Sequence, residues 1–166
     1  TGSGLSGEAA PADERSRFGD TAVNYQGEEV MAWTLAMVKP DAVSAGKTGD
    51  ILAHPEREGL RISALRMTRL SRVQAEAFYA VHRDRPFFES LASFMCSGPV
   101  VSVVLESEGA VERLRATIGA TDPAEAEPGT VRALFAESKE RNAIHASDSD
   151  QNASREIDFF FPVGVG

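Results

Sequence analysis

The stretch Val100-Val101-Ser102-Val103-Val104-Leu105 constrains this 166-residue chain more than any other. It is apolar and rich in β-branched residues, and Ser97-Gly98-Pro99 breaks the chain just before it, so the spacing predicts a strand over 100–105. Such a strand needs paired neighbours and covering side chains. Thr34 to Val38 is a second apolar run, ended by Lys39-Pro40-Asp41 as a turn, and Leu60 to Leu70 places Leu60, Ile62, Leu65 and Met67 in near-alternation. Asn142-Ala143-Ile144-His145 reads as a short fourth strand.

Helical patterns separate these strands. Residues 48–58 look helical up to Gly59, with Pro55 inside the pattern. Ser71 and Gln74 form a capping-box pair for a helix with Val73, Ala77, Phe78 and Val81 on one face. Another helix follows Pro86, carrying Phe87, Phe88, Leu91 and Phe94, with Phe88 assigned to the interior. A further helix spans about 109–118, and residues 119–141 are irregular with some helix near 131–139. Asp148 or Ser149 caps a last helix through Ala153, Ile157 and Phe160. The order β-α-β-α-α-β-α-loop-β-α has no internal repeat and implies a two-layer α+β sandwich, with strand order left open.

Composition excludes several classes. At 42% hydrophobic and 25% charged residues, with no apolar run near the roughly 18 residues of a membrane span, the chain is globular and not membrane-spanning. Residues 1–30 lack any sustained period and read as an acidic flexible N-terminal extension or leader before a domain over 31–166. That segment sets two arginines against six acidic residues, half of the net charge of −8. A sequence pI near 4.9 argues against nucleic acid or an anionic membrane as partner. The single cysteine, Cys96, follows Phe94-Met95 and reads as a buried, inert thiol; no secretory signal is visible, and both fit a reducing cytoplasm.

Three stretches can carry chemistry. In Asn142-Ala143-Ile144-His145-Ala146-Ser147-Asp148-Ser149-Asp150, helix capping accounts for Ser147 to Asp150 but not for a histidine at a strand-to-helix junction. His54 and His82, in charged helical contexts, read as solvated. Lys39, at a strand end, can meet a phosphate as a point charge, although most such lysines are simply solvated. Arg115, Thr121 and Arg132 surround a Gly/Pro-rich loop and can clamp a polyphosphate; the plainer reading is surface arginines paired with nearby acids.

In chain order, Lys-Pro-Asp-Ala-Val, Arg-Pro-Phe-Phe, Ser-Gly-Pro-Val, Gly-Ala-Thr-Asp-Pro, Pro-Gly-Thr-Val-Arg and Asn-x-x-His-x-Ser-Asp-Ser resemble the nucleoside diphosphate kinase family, from about Thr34 to Phe161. The resemblance implies a ferredoxin-like βαββαβ sandwich with a four-stranded antiparallel sheet. It implies a cytoplasmic enzyme that moves the γ-phosphoryl group from a nucleoside triphosphate to a nucleoside diphosphate by a ping-pong route through a phosphohistidine on His145. Imidazole suits that task because much of it is neutral near pH 7, leaving a ring nitrogen to attack. Lys39 is then the phosphate and ribose contact, and Arg115, Thr121 and Arg132 the phosphate cradle. Asn142 bonds the sugar 3′-hydroxyl, Tyr79 lies beside the histidine, and Ser147 and Glu156 orient the imidazole. Phe87 stacks on the base, which implies broad base specificity. Mg²⁺ is implied, held mainly by nucleotide phosphates rather than a protein metal site, and so is a homo-oligomer, tetramer or hexamer, built from dimers.

Three residues depart from the family pattern. Ala146 stands where glycine is usual and, if that position has positive φ, adds strain of about 1 kcal/mol. Lys139 replaces an aliphatic residue facing Phe87 across the base, although its methylene stem can still cover the ring. Pro55 predicts a kinked or broken helix at a cost of about 3 kcal/mol unless compensated. Ala146 and Lys139 leave open a rival reading, a nucleotide-binding protein with weak catalysis; a ferredoxin-like nucleic-acid module is disfavoured by the acidic balance.

Overall fold

The computed structural model describes Gln26 and residues 31–162. The expected extension over 1–30 lies outside the described residues, Gln26 excepted. In chain order the elements are β1 (Met31–Val38), α1 (Pro40–Ser44), α2 (Thr48–Arg57), β2 (Arg61–Thr68), α3 (Arg72–Phe78), a 3₁₀ turn (Ala80–His82), α4 (Phe88–Met95), β3 (Val100–Glu108), α5 (Ala110–Ile118), α6 (Val131–Phe135), β4 (Ile144–Ala146) and α7 (Asp150–Phe160). The four strands form one antiparallel sheet in the order β2-β3-β1-β4. With β1, α2, β2, β3, α5 and β4 taken as the frame, this is the ferredoxin-like arrangement; the α3–α4 hairpin and α7 are additions to it.

Those additions alter the layering. Ala36 and Val38 of β1 pack with Ile51, Leu114 and Ile118 from α2 and α5, whereas Leu35 and Met37 pack with Phe78, Met95, Ile157 and Phe160 from α3, α4 and α7. The sheet is therefore covered on both faces, not one as the two-layer reading expected. Covering on both sides explains why β1 and β3 are apolar runs rather than alternating ones.

Edge strand β2 departs from its reading. A register shift between Ile62 and Ala64 lets Ile62, Leu65 and Met67 share one face, opposite Leu105, Val103 and Val101. The apolar spacing of two, three and two thus marks a bulge. Leu65 and Met67 nevertheless stay 52% and 59% exposed.

Several local readings are corrected. Lys39-Pro40-Asp41 is no simple turn: Pro40, with φ already suited to a helix, opens α1. Helix α2 is not broken by Pro55, which falls in its last turn. There Leu60 N donates to Pro55 O (2.9 Å) and Gly59 N to Glu56 O (3.1 Å), a Schellman closure that Gly59 permits at φ +85°. The Ser71–Gln74 capping box is formed, but α3 buries Ala75 and Phe78 while Val73 and Val81 face outward. Helix α6 ends at Phe135, short of the expected 139. Cys96 is only partly buried, at the C-cap of α4. Phe88 is interior, as expected.

Candidate active site

A cleft of about 600 Å³ opens beside the sheet. Into it converge Lys39, Tyr79, Phe87, Arg115, Thr121, Arg132, Asn142, His145 and Glu156. Eight of the nine come from positions outside the strands; the sheet contributes His145 through β4. Ser147, the remaining residue of the expected set, is fully buried behind Glu156.

His145 sits opposite Met37 in the β1–β4 register, its ring edge-on to Phe78 (5.2 Å) and Tyr79 (5.9 Å). Its Nε2 is hydrogen-bonded to Glu156 Oε1. A carboxylate only accepts, so this bond places the imidazole proton on Nε2 and leaves a lone pair on Nδ1, which has no partner among the described residues. Ser147 makes no hydrogen bond to the imidazole among the described residues. Its hydroxyl donates to Glu156 Oε2 (3.1 Å), so serine orients the carboxylate and the carboxylate orients the ring. Helix α7 brings Glu156 there, started by the Ser149 hydroxyl, which accepts from Asn152 N. Asp148 also holds Asn152, and the Asn152 hydrogen bond keeps the Asp148 carboxyl below its ordinary range.

Of the three cations on this side of the cleft, Lys39 and Arg132 are buried and Arg115 is exposed. Lys39 Nζ donates to Asn142 Oδ1 (2.8 Å) and Glu140 O (3.3 Å). Burial, with help from Arg132, lowers its pKa to about 8, against the opposing pull of Asp41 and Glu140. Arg132 donates to Gly119 O (3.0 Å) and Ile144 O (2.8 Å), while its buried Nε has no partner among the described residues. Burial, then Arg115, lowers Arg132 to about 10. Neither arginine is ion-paired among the described residues, so the plain reading of paired surface arginines fails. Asn142 Nδ2 reaches Thr121 O (3.3 Å), tying the loop after α5 to β4. Gly119, at φ +86°, leaves no room for a Cβ, which would meet Thr130 Oγ1 at 2.4 Å.

Tyr79 is buried, its hydroxyl has no hydrogen-bond partner among the described residues, and burial, then Glu156, raises its pKa. Phe87 caps α4 and is 46% exposed. The facing loop is anchored by Glu140 to Ser90 (2.9 Å) and by the Arg141 guanidinium over Phe94 (5.2 Å). Lys139 lines the cleft, its ammonium 3.8 Å from Asp122.

Two expectations change here. Ala146 lies in β4 opposite Ala36 without positive φ, so no strain resides there. The strained residue is Ala143, at φ +71°. His82 also lines the cleft, tilted against Phe87 (5.6 Å), rather than being simply solvated; His54 is half-buried against Phe135. Sequence reasoning missed His82, although it follows Tyr79 by one helical turn, a spacing that puts two residues on one face.

Sheet order, covering helices and this cleft define an α+β enzyme of ferredoxin-like fold. The family model described as "Nucleoside diphosphate kinase" matches residues 32–164. The nucleoside diphosphate kinase of Desulfovibrio desulfuricans is 57% identical over 132 residues, covering 80% of this chain and 95% of that protein. That of Campylobacter jejuni is 58% identical over 131 residues, covering 79% and 96%. Among solved structures, the Aquifex aeolicus nucleoside diphosphate kinase superposes with TM-score 0.78 at 50% identity, covering 80% of this chain and 96% of its own. The Encephalitozoon cuniculi enzyme superposes with TM-score 0.78 at 33% identity, covering 81% and 91%. The chain belongs to the nucleoside diphosphate kinase family.

Proposed function

We propose that this chain transfers the γ-phosphoryl group from a nucleoside triphosphate to a nucleoside diphosphate through a covalent intermediate on His145. The observation that carries the reading is the Nε2–Glu156 bond, which fixes the tautomer whose Nδ1 can attack. In the first half-reaction the Nδ1 lone pair forms the N–P bond as the bond to the β-phosphate oxygen breaks, and the diphosphate leaves with that electron pair. The second half-reaction is the reverse, with another diphosphate as acceptor. Glu156, paired with the ring, favours the cationic imidazole of the phosphorylated state.

Lys39, Arg115, Thr121 and Arg132 bind the phosphates, and Arg132 Nε, without a partner among the described residues, is a donor preset for charge that develops during transfer. Asn142 holds the sugar hydroxyl, and Tyr79 packs against the reacting ring. Among the described residues no group of three or more His, Cys, Asp or Glu lies where it could hold a metal. Five cationic side chains line the cleft against three carboxylates, a balance that supports Mg²⁺ carried on phosphate oxygens, where it neutralises phosphate charge. A homo-oligomer built from dimers is supported by the exposed apolar pair Leu65 and Met67 on edge strand β2. Among the described residues no helix is long and apolar enough to cross a membrane. The cytoplasmic placement rests instead on the single cysteine, which fits a reducing compartment. The reading predicts parallel double-reciprocal plots when donor and acceptor nucleotides are varied; intersecting lines overturn it.

Phe87 offers a ring face, which every base can stack on, and this supports broad base specificity. Phe87→Ala raises KM about 5- to 150-fold by similar factors for purine and pyrimidine nucleotides, the equivalent of about 1–3 kcal/mol of stacking. Steady-state kinetics with four diphosphates checks this; loss confined to one base contradicts it.

Lys39 sets an alkaline limit. Its pKa near 8 leaves the ammonium charged below that pH and neutral above it, so kcat/KM falls as pH rises through about 8. Lys39→Arg, which stays charged, moves this limb to higher pH whatever it does to the maximal rate. A pH profile of kcat/KM from 6 to 10 for both proteins makes the comparison.

A further inference from the structure

Ala143 is the one non-glycine residue with positive φ among the described residues, and it is fully buried. Ile144 N donates to Asn142 O across it (2.9 Å), which closes a γ-turn, a conformation alanine rarely takes. The turn sits between two cleft residues: Asn142 immediately before it and His145 two positions after. Its own hydrogen bond does not anchor it to the rest of the protein. That anchoring comes from the segment that carries Lys39. Lys39 N donates to Ala143 O (2.9 Å), and Ala143 N donates to Asp41 Oδ2 (3.1 Å). Asp41 is buried, and Ala143 N is the single hydrogen-bond partner of its carboxylate among the described residues.

We propose that Asp41 is a positioning residue whose carboxylate holds Ala143 in the left-handed conformation, and thereby aims Asn142 and His145 at the same nucleotide that Lys39 meets. Removing the acceptor strands a buried N–H and removes the contact that opposes relaxation of Ala143 to negative φ. Relaxation rotates the peptide units on both sides of Ala143, hence the directions of Asn142 and His145, without touching either side chain. This inference rests on the proposed role of His145. Asp41 also lies close enough to act on the charge of Lys39, so the test must separate a hydrogen-bond acceptor from a negative charge.

Four proteins separate them: wild type, Asp41→Asn, Asp41→Ala, and Asp41→Ala combined with Ala143→Gly. The readouts are the rate of phosphate adduct formation with excess ATP and Mg²⁺, and thermal unfolding. Asp41→Ala slows adduct formation about tenfold or more, the scale set by the strain of one such residue. Asp41→Asn keeps an oxygen acceptor for Ala143 N and stays within about threefold of wild type, since only the charge is lost. The double variant recovers most of the rate, because glycine takes positive φ without a tether. A purely structural role would depress thermal stability in both alanine variants and give no kinetic recovery.

The inference is overturned if Asp41→Ala reacts at the wild-type rate, if Asp41→Asn is as slow as Asp41→Ala, or if the double variant is no faster than the single one. Should Asp41→Ala fail to fold, a folded and active double variant supports the inference, and an unfolded one overturns it. A wild-type chain that forms no adduct sinks the phosphohistidine reading and this inference with it. A wild-type adduct with any of the contrary variant results sinks this inference alone.

Discussion

His145→Ala lowers turnover by at least about 10⁴-fold, because it removes the group that bonds to phosphorus rather than one that assists it. The structural cost is far smaller. The imidazole side chain is 22% exposed, and its loss leaves Glu156 buried with Ser147 as a remaining donor. An unsatisfied buried polar group of this kind costs about 1–3 kcal/mol, which a domain of ordinary stability survives. Activity should therefore vanish in a protein that still unfolds cooperatively, and circular dichroism melts beside a coupled assay distinguish the two losses. A variant that keeps a tenth of the wild-type rate would exclude His145 as nucleophile.

Arg132→Ala ranks second. Its guanidinium does two jobs at once, bonding Gly119 O and Ile144 O through its terminal nitrogens while Nε has no partner among the described residues. Losing one preset donor to transition-state charge costs about 10²- to 10³-fold in kcat. The two carbonyls left without a donor lower stability as well, by about 1–3 kcal/mol each if no water replaces the arginine. Arg132→Lys recovers little, since an ammonium cannot span two carbonyls and a phosphate in one plane. Measured kcat and melting temperature for both variants should fall together. A loss of stability with unchanged kcat would reassign Arg132 to structure alone.

How much of this was legible in the sequence depended on whether the signal was local. The capping box at Ser71 and Gln74, the strand at Val100, and the odd pairing of Asn142 with His145 are short-range patterns, and all three are present in the fold. Pro55 misled although the helix end at Gly59 was legible, because a proline reads as a breaker anywhere past the first turn, whereas here it falls in the last turn and the helix closes intact. The bulge in β2 hid behind apparent alternation, since a spacing of three changes parity without changing composition. Strain was expected at Ala146, by comparison with a usual glycine, but it lies at Ala143, where no residue type announces it. The bond from Ser147 to Glu156, rather than to the imidazole, is a tertiary relation between a strand end and α7. The second covered face is likewise a matter of where α3, α4 and α7 pack.

Cleft electrostatics were equally hidden. A net charge of −8 describes the whole chain, yet Lys39, Arg115 and Arg132 line one cleft with no ion pair among the described residues. Desolvation by burial lowers the pKa of Lys39 and Arg132, and a phosphate entering the cleft reverses that penalty by supplying the missing anion.

The most direct test of the central claim is the intact mass of the protein after brief incubation with ATP and Mg²⁺. The account predicts one acid-labile phosphate adduct, discharged by a nucleoside diphosphate and absent in His145→Ala. No adduct in the wild-type chain, or an adduct that persists in His145→Ala, would contradict it.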